Sequence, residues 1–210
     1  MSITAEIAEL LQKGRAADVK ANVQKALDEG VAAKTILNEG MISAMMEVGQ
    51  KFKENLIFVP EVLIAARAMN AGLEILRPRL VADGVEPVGK AIVCTVKGDL
   101  HDIGKNLVKM MMEGVGVECI DLGVDVGGEQ IVECVKETGA QVVCLSALLT
   151  TTMMSQRDII EALEEAGLRD QVKVMVGGAP VTQSFADEIG ADAYTQDAAS
   201  AAETILTFFA

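Results

Sequence analysis

The sequence predicts a chain of α + α/β class. An N-terminal four-helix bundle spans residues 1–82, and an α/β part with a five-stranded parallel sheet spans residues 91–210. Three observations predict it. Residues 1–82 carry apolar positions at helical spacing and no convincing strand. From residue 91 onward, short apolar, β-branched runs alternate with helical patterns, as in βαβ units with helices on both faces of a sheet. Between the two, Asp83-Gly84-Val85-Glu86-Pro87-Val88-Gly89 is the one stretch of linker composition, and the linker is placed at residues 83–90.

In the bundle, Ile3, Ile7, Leu10 and Leu11 form one helical stripe, which Gly14 ends. Val19, Val23, Ala26 and Leu27 form a second, ended by Gly30. From Val31 to about Phe52 the pattern stays helical through Ile36, Leu37, Met41, Met45 and Val48; Gly40 is expected to break or bend it, so the third helix could be split in two. Pro60 suits the first turn of a long fourth helix, where its missing N–H costs nothing. Val62, Leu63, Ala66, Met69, Leu73 and Leu76 supply the apolar face of that helix. In the α/β part, strands are expected near 91–96, 117–120, 141–145, 172–176 and 192–194, with helices near 103–114, 128–138, 152–166, 181–189 and 197–208.

Composition narrows the function. With 31 acidic and 18 basic residues, the net charge of −13 disfavours nucleic acid and anionic membranes as partners. No apolar run reaches the ~18 residues a membrane span needs. No basic segment leads into an apolar stretch at the start, so no signal peptide is expected and a cytoplasmic location is. Cys94, Cys119, Cys134 and Cys144 lack metal-binding spacing and are expected to be reduced core or near-core residues.

The only histidine, His101, lies in Lys97-Gly98-Asp99-Leu100-His101-Asp102-Ile103-Gly104. This stretch follows the strand-like Ala91–Val96 and precedes a helical pattern, which places His101 at the carboxyl end of a strand, where open α/β sheets bind their ligands. Asp99 can reach back to one imidazole nitrogen and leave the other free for a metal. Alone, the pattern has a plainer explanation, a helix-capping aspartate beside a polar loop histidine, and chance supplies it in roughly a few per cent of chains this long. Two later strand ends carry further signals: Ser146-Ala147-Leu148-Leu149-Thr150-Thr151-Thr152 after one, and Gly177-Gly178-Ala179-Pro180 after another. No general acid–base pair or activated nucleophile is evident, so independent catalysis is not expected.

Taken together, Asp-x-His-x-x-Gly, Ser-x-Leu and Gly-Gly in this order resemble the signature of the cobalamin-binding domain. Nearly the whole chain, helical part included, resembles the small corrinoid proteins of methyltransferase systems and the cobalamin-binding module of methionine synthase. The resemblance implies a flavodoxin/Rossmann-like sheet of order 2-1-3-4-5, with its switch point beside His101 and Ser146. It implies cobalamin (methylcobalamin or another corrinoid) bound with its dimethylbenzimidazole tail detached and His101 on cobalt. Asp99 would orient His101, and Thr152 would extend the hydrogen-bond chain where methionine synthase has a serine. Gly98, Asp99, Leu100, His101, Asp102, Ile103 and Gly104 would line the cofactor. Ser146, Leu148, Thr150, Gly177, Gly178, Tyr194 and Ala198 would complete the lining, with Gly177 and Gly178 leaving the tail slot unfilled by side chains. In the helical part Phe58 would cover the methyl group with Val62 nearby; a hydrophobic staple on its own helix explains Phe58 equally well.

The function so implied is that of a methyl carrier, itself a non-catalytic subunit. It would shuttle between a substrate-specific methyltransferase and a second methyltransferase acting on a thiol or a pterin, with a reductive activase as a further partner. The donor, a methylamine, quaternary amine, methanol or methoxylated aromatic, stays open. The alternatives are a cobalamin-dependent sensor or storage module and a radical mutase small subunit.

Overall fold

The computed structural model describes residues 2–210, which fall into two compact units. One comprises the chain up to Pro87 together with Glu113–Gly116; the other comprises Val88–Met112 and Val117–Ala210. Among the described residues no helix is long and apolar enough to cross a membrane.

The first unit is helical. Helix α1 (Ile3–Gln12) starts at Ser2, whose hydroxyl accepts the Ala5 N–H at 3.2 Å, and α2 is Ala16–Asp28. Helix α3 is continuous from Ala33 to Lys53, but its segment Ile36–Ile42 is π-helical. Gly40 therefore neither breaks nor splits the helix. It lies in the widened turn, and a Cβ there would stand 3.4 Å from the Thr4 carbonyl oxygen, so α1 can lie close against it. Helix α4 (Val59–Ala82) carries Pro60 in its first turn, and the Glu61 carboxylate accepts the Phe58 N–H at 3.0 Å. Its buried face is rich in small residues: Val62, Ala65, Ala66, Met69, Gly72 and Leu76 are buried, whereas Leu63 stays exposed. Pro78 sits inside α4 near its end, a helix-breaking residue that the periodicity did not flag.

The second unit is a five-stranded parallel sheet of order β2-β1-β3-β4-β5. The strands are β1 (Lys90–Val96), β2 (Glu118–Val126), β3 (Val142–Ser146), β4 (Lys173–Gly177) and β5 (Ala193–Tyr194). The connecting helices are α5 (Ile103–Gly114), α6 (Gly128–Thr138), α7 (Met154–Glu165) and α8 (Gln183–Glu188), and α9 (Ala198–Phe208) ends the chain. The core packs Ile92, Val143, Leu145 and Val174 of the strands against Ile131, Ile159, Leu163 and Phe185 of the helices. Among the described residues no cysteine is in a disulfide, and burial pushes the Cys94 thiol up to about 12, so it stays protonated.

Strand β2 runs well past the 117–120 expected from the apolar pattern. Asp121, Gly123 and Asp125 interrupt that pattern, but at a sheet edge polar side chains can face solvent while the backbone continues to pair. The pairing absorbs two register shifts: Val93 faces Asp121, Cys94 faces Gly123 and Val96 faces Val126.

The sheet's carboxyl edge is aligned by register. Thr95 of β1 pairs with Ser146 of β3, which pairs with Gly177 of β4. Order 2-1-3 makes the connections leave β1 and β3 in opposite directions, so the loops after these two strands open the crevice that such sheets use for ligands.

The structure gives a reason of its own for the paired glycines. Gly178 has φ +122°, and a Cβ there would stand 1.8 Å from the Ala147 carbonyl oxygen; at Gly177 it would stand 3.0 Å from the Thr195 carbonyl oxygen. Neighbouring backbone, more than an open slot, demands glycine here. Gly178→Ala should therefore destabilise the fold by about 2–3 kcal/mol or more, combining backbone strain and overpacking. Urea denaturation checks this; a loss below about 0.5 kcal/mol would mean that the two loops separate at little cost.

Candidate functional site

After β1 the chain turns through Lys97-Gly98, with Gly98 at φ +83° and the Asp99 N–H returning to the Val96 carbonyl at 3.1 Å. This turn directs the Asp99 side chain inward, where it is fully buried. Its oxygens accept four hydrogen bonds. Oδ1 takes the His101 backbone N–H at 3.0 Å and the His101 ring Nδ1 at 2.6 Å. Oδ2 takes the Leu148 N–H at 2.7 Å and the Thr152 hydroxyl at 2.7 Å. Burial alone would raise the Asp99 pKa, but bonds from the His101 and Leu148 backbone, the Thr152 hydroxyl and the His101 ring outweigh it and hold the carboxyl well below its usual range.

An ionised carboxylate only accepts, so His101 Nδ1 carries a proton, and in the neutral ring the lone pair then lies on Nε2. The Thr95 hydroxyl fixes the same residue by donating to the His101 carbonyl at 2.9 Å. The imidazole side chain is 52% exposed, and among the described residues Nε2 has no hydrogen-bond partner. Around it, Leu100 is 72% and Ile103 78% exposed, and Leu148 and Leu149 are exposed too. Large apolar side chains left in water beside a histidine with a free nitrogen form a surface suited to a flat, apolar ligand. Among the described residues no group of three His, Cys, Asp or Glu could hold a metal ion. A metal taken by Nε2 would thus need to bring its other ligands with it, as a macrocycle does.

Thr152 completes the chain anticipated from sequence. Its hydroxyl lies within reach of both Asp99 Oδ2 and, at 3.1 Å, the Leu149 carbonyl, and the β-branch fits because its methyl turns toward Gly98. Ser146 closes β3 beside Thr95, and Thr150 is exposed in the following turn. Gly104 has open space where a Cβ would stand. Asp102 is spent on α5, accepting the Asn106 side-chain amide at 3.1 Å. Tyr194 packs on the sheet's core and Ala198 is buried in the first turn of α9, so neither presents an open face comparable to Leu100. In the helical unit Phe58 is 63% exposed, whereas Val62 is fully buried.

Two residues that shape this site were not anticipated. Gln156, fully buried on α7, donates its side-chain amide to the Leu145 and Gly177 carbonyls and so ties the ends of β3 and β4. Asp125, at the end of β2, accepts the Gly98 N–H at 2.7 Å. The one sequence signal for it is an aspartate between two valines, with Gly123 and Gly127 two residues away, a pattern too common near a strand end to be read alone.

The Asp99 carboxylate gives the site a definite pH response. Its folded pKa lies below that of an unfolded aspartate, about 3.9, so its stabilisation is complete above that value and is lost as pH falls below it. Asp99→Asn should cost about 1–3 kcal/mol at pH 7. The gap to the wild type should narrow as pH drops from about 5 toward 2, measured by urea denaturation at each pH. A gap that does not vary with pH would remove the charge of Asp99 from the account.

Comparison with known proteins accounts for this geometry. A family model described as a B12 binding domain matches residues 89–206, and a second of the same description matches residues 3–77. The chain is 45% identical over 177 residues to trimethylamine corrinoid protein 1 of Methanosarcina acetivorans, covering 83% of this chain and 82% of the relative. A cobalamin-binding protein from Desulfitobacterium hafniense superposes with TM-score 0.82 at 31% identity, over 99% of this chain and 98% of that one. A chain of the methanol:cobalamin methyltransferase complex of Methanosarcina barkeri gives TM-score 0.85 at 29% identity, over 98% of this chain and 80% of that one. Cobalamin fits the residues present: one imidazole with a free Nε2, exposed leucine and isoleucine beside it, and open space at Gly104. The chain belongs to the corrinoid proteins of methyltransferase systems, and its cofactor is cobalamin.

Proposed function

We propose that this chain is a methyl carrier that holds cobalamin with the tail detached and His101 as the lower ligand. The observation that carries the reading is the Asp99–His101 pair: a buried carboxylate fixes the Nδ1 proton at 2.6 Å and leaves Nε2 free. When bound, the corrinoid supplies the chemistry of accepting and giving up a methyl group; the protein supplies ligation, orientation and shelter. His101 offers Nε2 as a ligand, and Asp99 keeps the ring in one tautomer. The Thr152 hydroxyl donates to the same carboxylate and lies within reach of the Leu149 carbonyl.

Carriage of a methyl group implies two enzymes. One is a substrate-specific methyltransferase, and the solved complex of a relative with its methyltransferase supports that role. The other passes the methyl group to a thiol or a pterin, and a reductive activase would restore oxidised cobalt. For the donor, a methylated amine is the first candidate, because the 45% identical relative is a trimethylamine corrinoid protein. The location proposed is the cytoplasm, where such partners would meet it.

Because His101 is the only histidine, ligation can be read without ambiguity. Protein labelled with ¹⁵N-histidine and loaded with unlabelled cobalamin, about one per chain, should show ¹⁵N splitting in the electron paramagnetic resonance spectrum of its cobalt(II) form. Unlabelled nitrogen splitting would mean that the cofactor's own base stays on cobalt. His101→Ala should still bind cobalamin but lose the protein-derived splitting.

The place of Phe58 has its own measurement. Phe58→Ala should speed photolysis of bound methylcobalamin if the exposed ring shelters the methyl group; an unchanged rate would remove Phe58 from the cofactor.

A further inference from the structure

We infer that Asp125, on a different strand from the motif, is the positioning residue that holds the Asp99–His101 pair in register through the Gly98–Asp99 backbone. The inference rests on the reading of His101 as the ligand.

Three observations carry it. First, β2 contains two extra residues relative to β1, one before Gly123 and one before Val126. Such bulges bend a strand and re-aim the side chain that follows, and they recur beside functional sites. Second, Asp125 is one of only two non-glycine residues at positive φ among the described residues, at +57°. Aspartate and asparagine tolerate that conformation better than other side chains, yet it remains a strained one. Third, the bonds made there run both ways: Asp125 Oδ1 accepts the Gly98 N–H at 2.7 Å, and the Asp125 N–H donates to the Asp99 carbonyl at 3.1 Å.

These bonds grip the turn on either side of the Gly98–Asp99 peptide. The next covalent step from that peptide is the Asp99 side chain, which in turn holds His101 Nδ1. Gly98, at φ +83°, has few barriers to rotation, and among the described residues no other hydrogen bond fixes its N–H. Without Asp125 the turn could pivot about Gly98, and the carboxylate would lose its angle to the ring. Asp125 thus acts on the histidine without touching it.

The test uses three variants and two readouts, one of which needs no cofactor. Asp125→Asn keeps both an acceptor and a side chain suited to positive φ. Asp125→Gly relieves the backbone but removes the acceptor, and Asp125→Ala loses on both counts. In cofactor-free, ¹⁵N-labelled protein at a pH where the ring is neutral, the single histidine should report its proton on Nδ1 and not on Nε2. In Asp125→Gly and Asp125→Ala the Gly98 amide should exchange with solvent about tenfold faster or more, and the Nδ1–H signal should weaken toward a mixture of tautomers. Asp125→Asn should stay within about twofold of wild type in exchange. With cobalamin bound, the histidine-derived splitting of the cobalt(II) form should fall in the same order. A wild-type Nδ1 signature in Asp125→Gly, with only the melting temperature changed, would overturn the inference and reduce Asp125 to a strand end. Rapid exchange of the Gly98 amide in the wild type would overturn it without any variant having to fold. An intact Nδ1 response in a protein whose cobalt never shows histidine splitting would instead overturn the ligand assignment and leave the coupling of Asp125 to His101 standing.

Discussion

A carboxylate taken wholly out of water must be met by donors or it will not stay ionised. Asp99 is met by four, two from its own loop and two from the loop after β3. Every other feature of the site depends on this. The bonds from Leu148 and Thr152 draw the two loops flanking the switch point onto one side chain, and the bond to Nδ1 decides which imidazole nitrogen faces outward. Charge-assisted bonds of this length are stronger than neutral ones, so the loops are held by a short, directional network instead of by broad packing.

That economy suits a site whose outer surface must stay open. Leu100, Ile103, Leu148 and Leu149 remain exposed, so they contribute little to the stability of the unliganded chain. They can be spared because the sheet's core, from Ile92 across to Val174, is buried beneath them and carries the stability. A single protein ligand among apolar neighbours is a poor trap for a free ion and a good one for a metal held in its own ring. Membership in a corrinoid family and the local chemistry thus reach the same cofactor by separate routes.

Legibility in the sequence varied by residue, for physical reasons. His101 and Asp99 were readable because their spacing at the end of an apolar strand is followed, in order, by the Ser146 and Gly177-Gly178 loops at two later strand ends. Gly178 was readable as a position but not as a cause: the Ala147 carbonyl that excludes a side chain there is 31 residues away in the chain. Strand β2 was read too short because Asp121, Gly123 and Asp125 look like a loop until the strand is known to lie at the sheet's edge. Gly40 looked like a breaker because propensity argues for one, whereas the neighbouring α1 accommodates a π-helical turn in its place.

The sequence by itself determined the alternation of strands and helices, the helical first part, the loop carrying His101 and the pairing of Asp99 with it, because each rests on periodicity or on spacing within a few residues. Tertiary structure decided the strand pairing that the resemblance only implied, the two donors that reach Asp99 from the loop after β3, and the grip of Asp125 on Gly98. These hydrogen bonds join residues separated by 27 to 53 positions in the chain, and no local propensity encodes a contact of that span. The strand order and the bulges of β2 bring them within 3 Å of one another, and there the chemistry of the site is set.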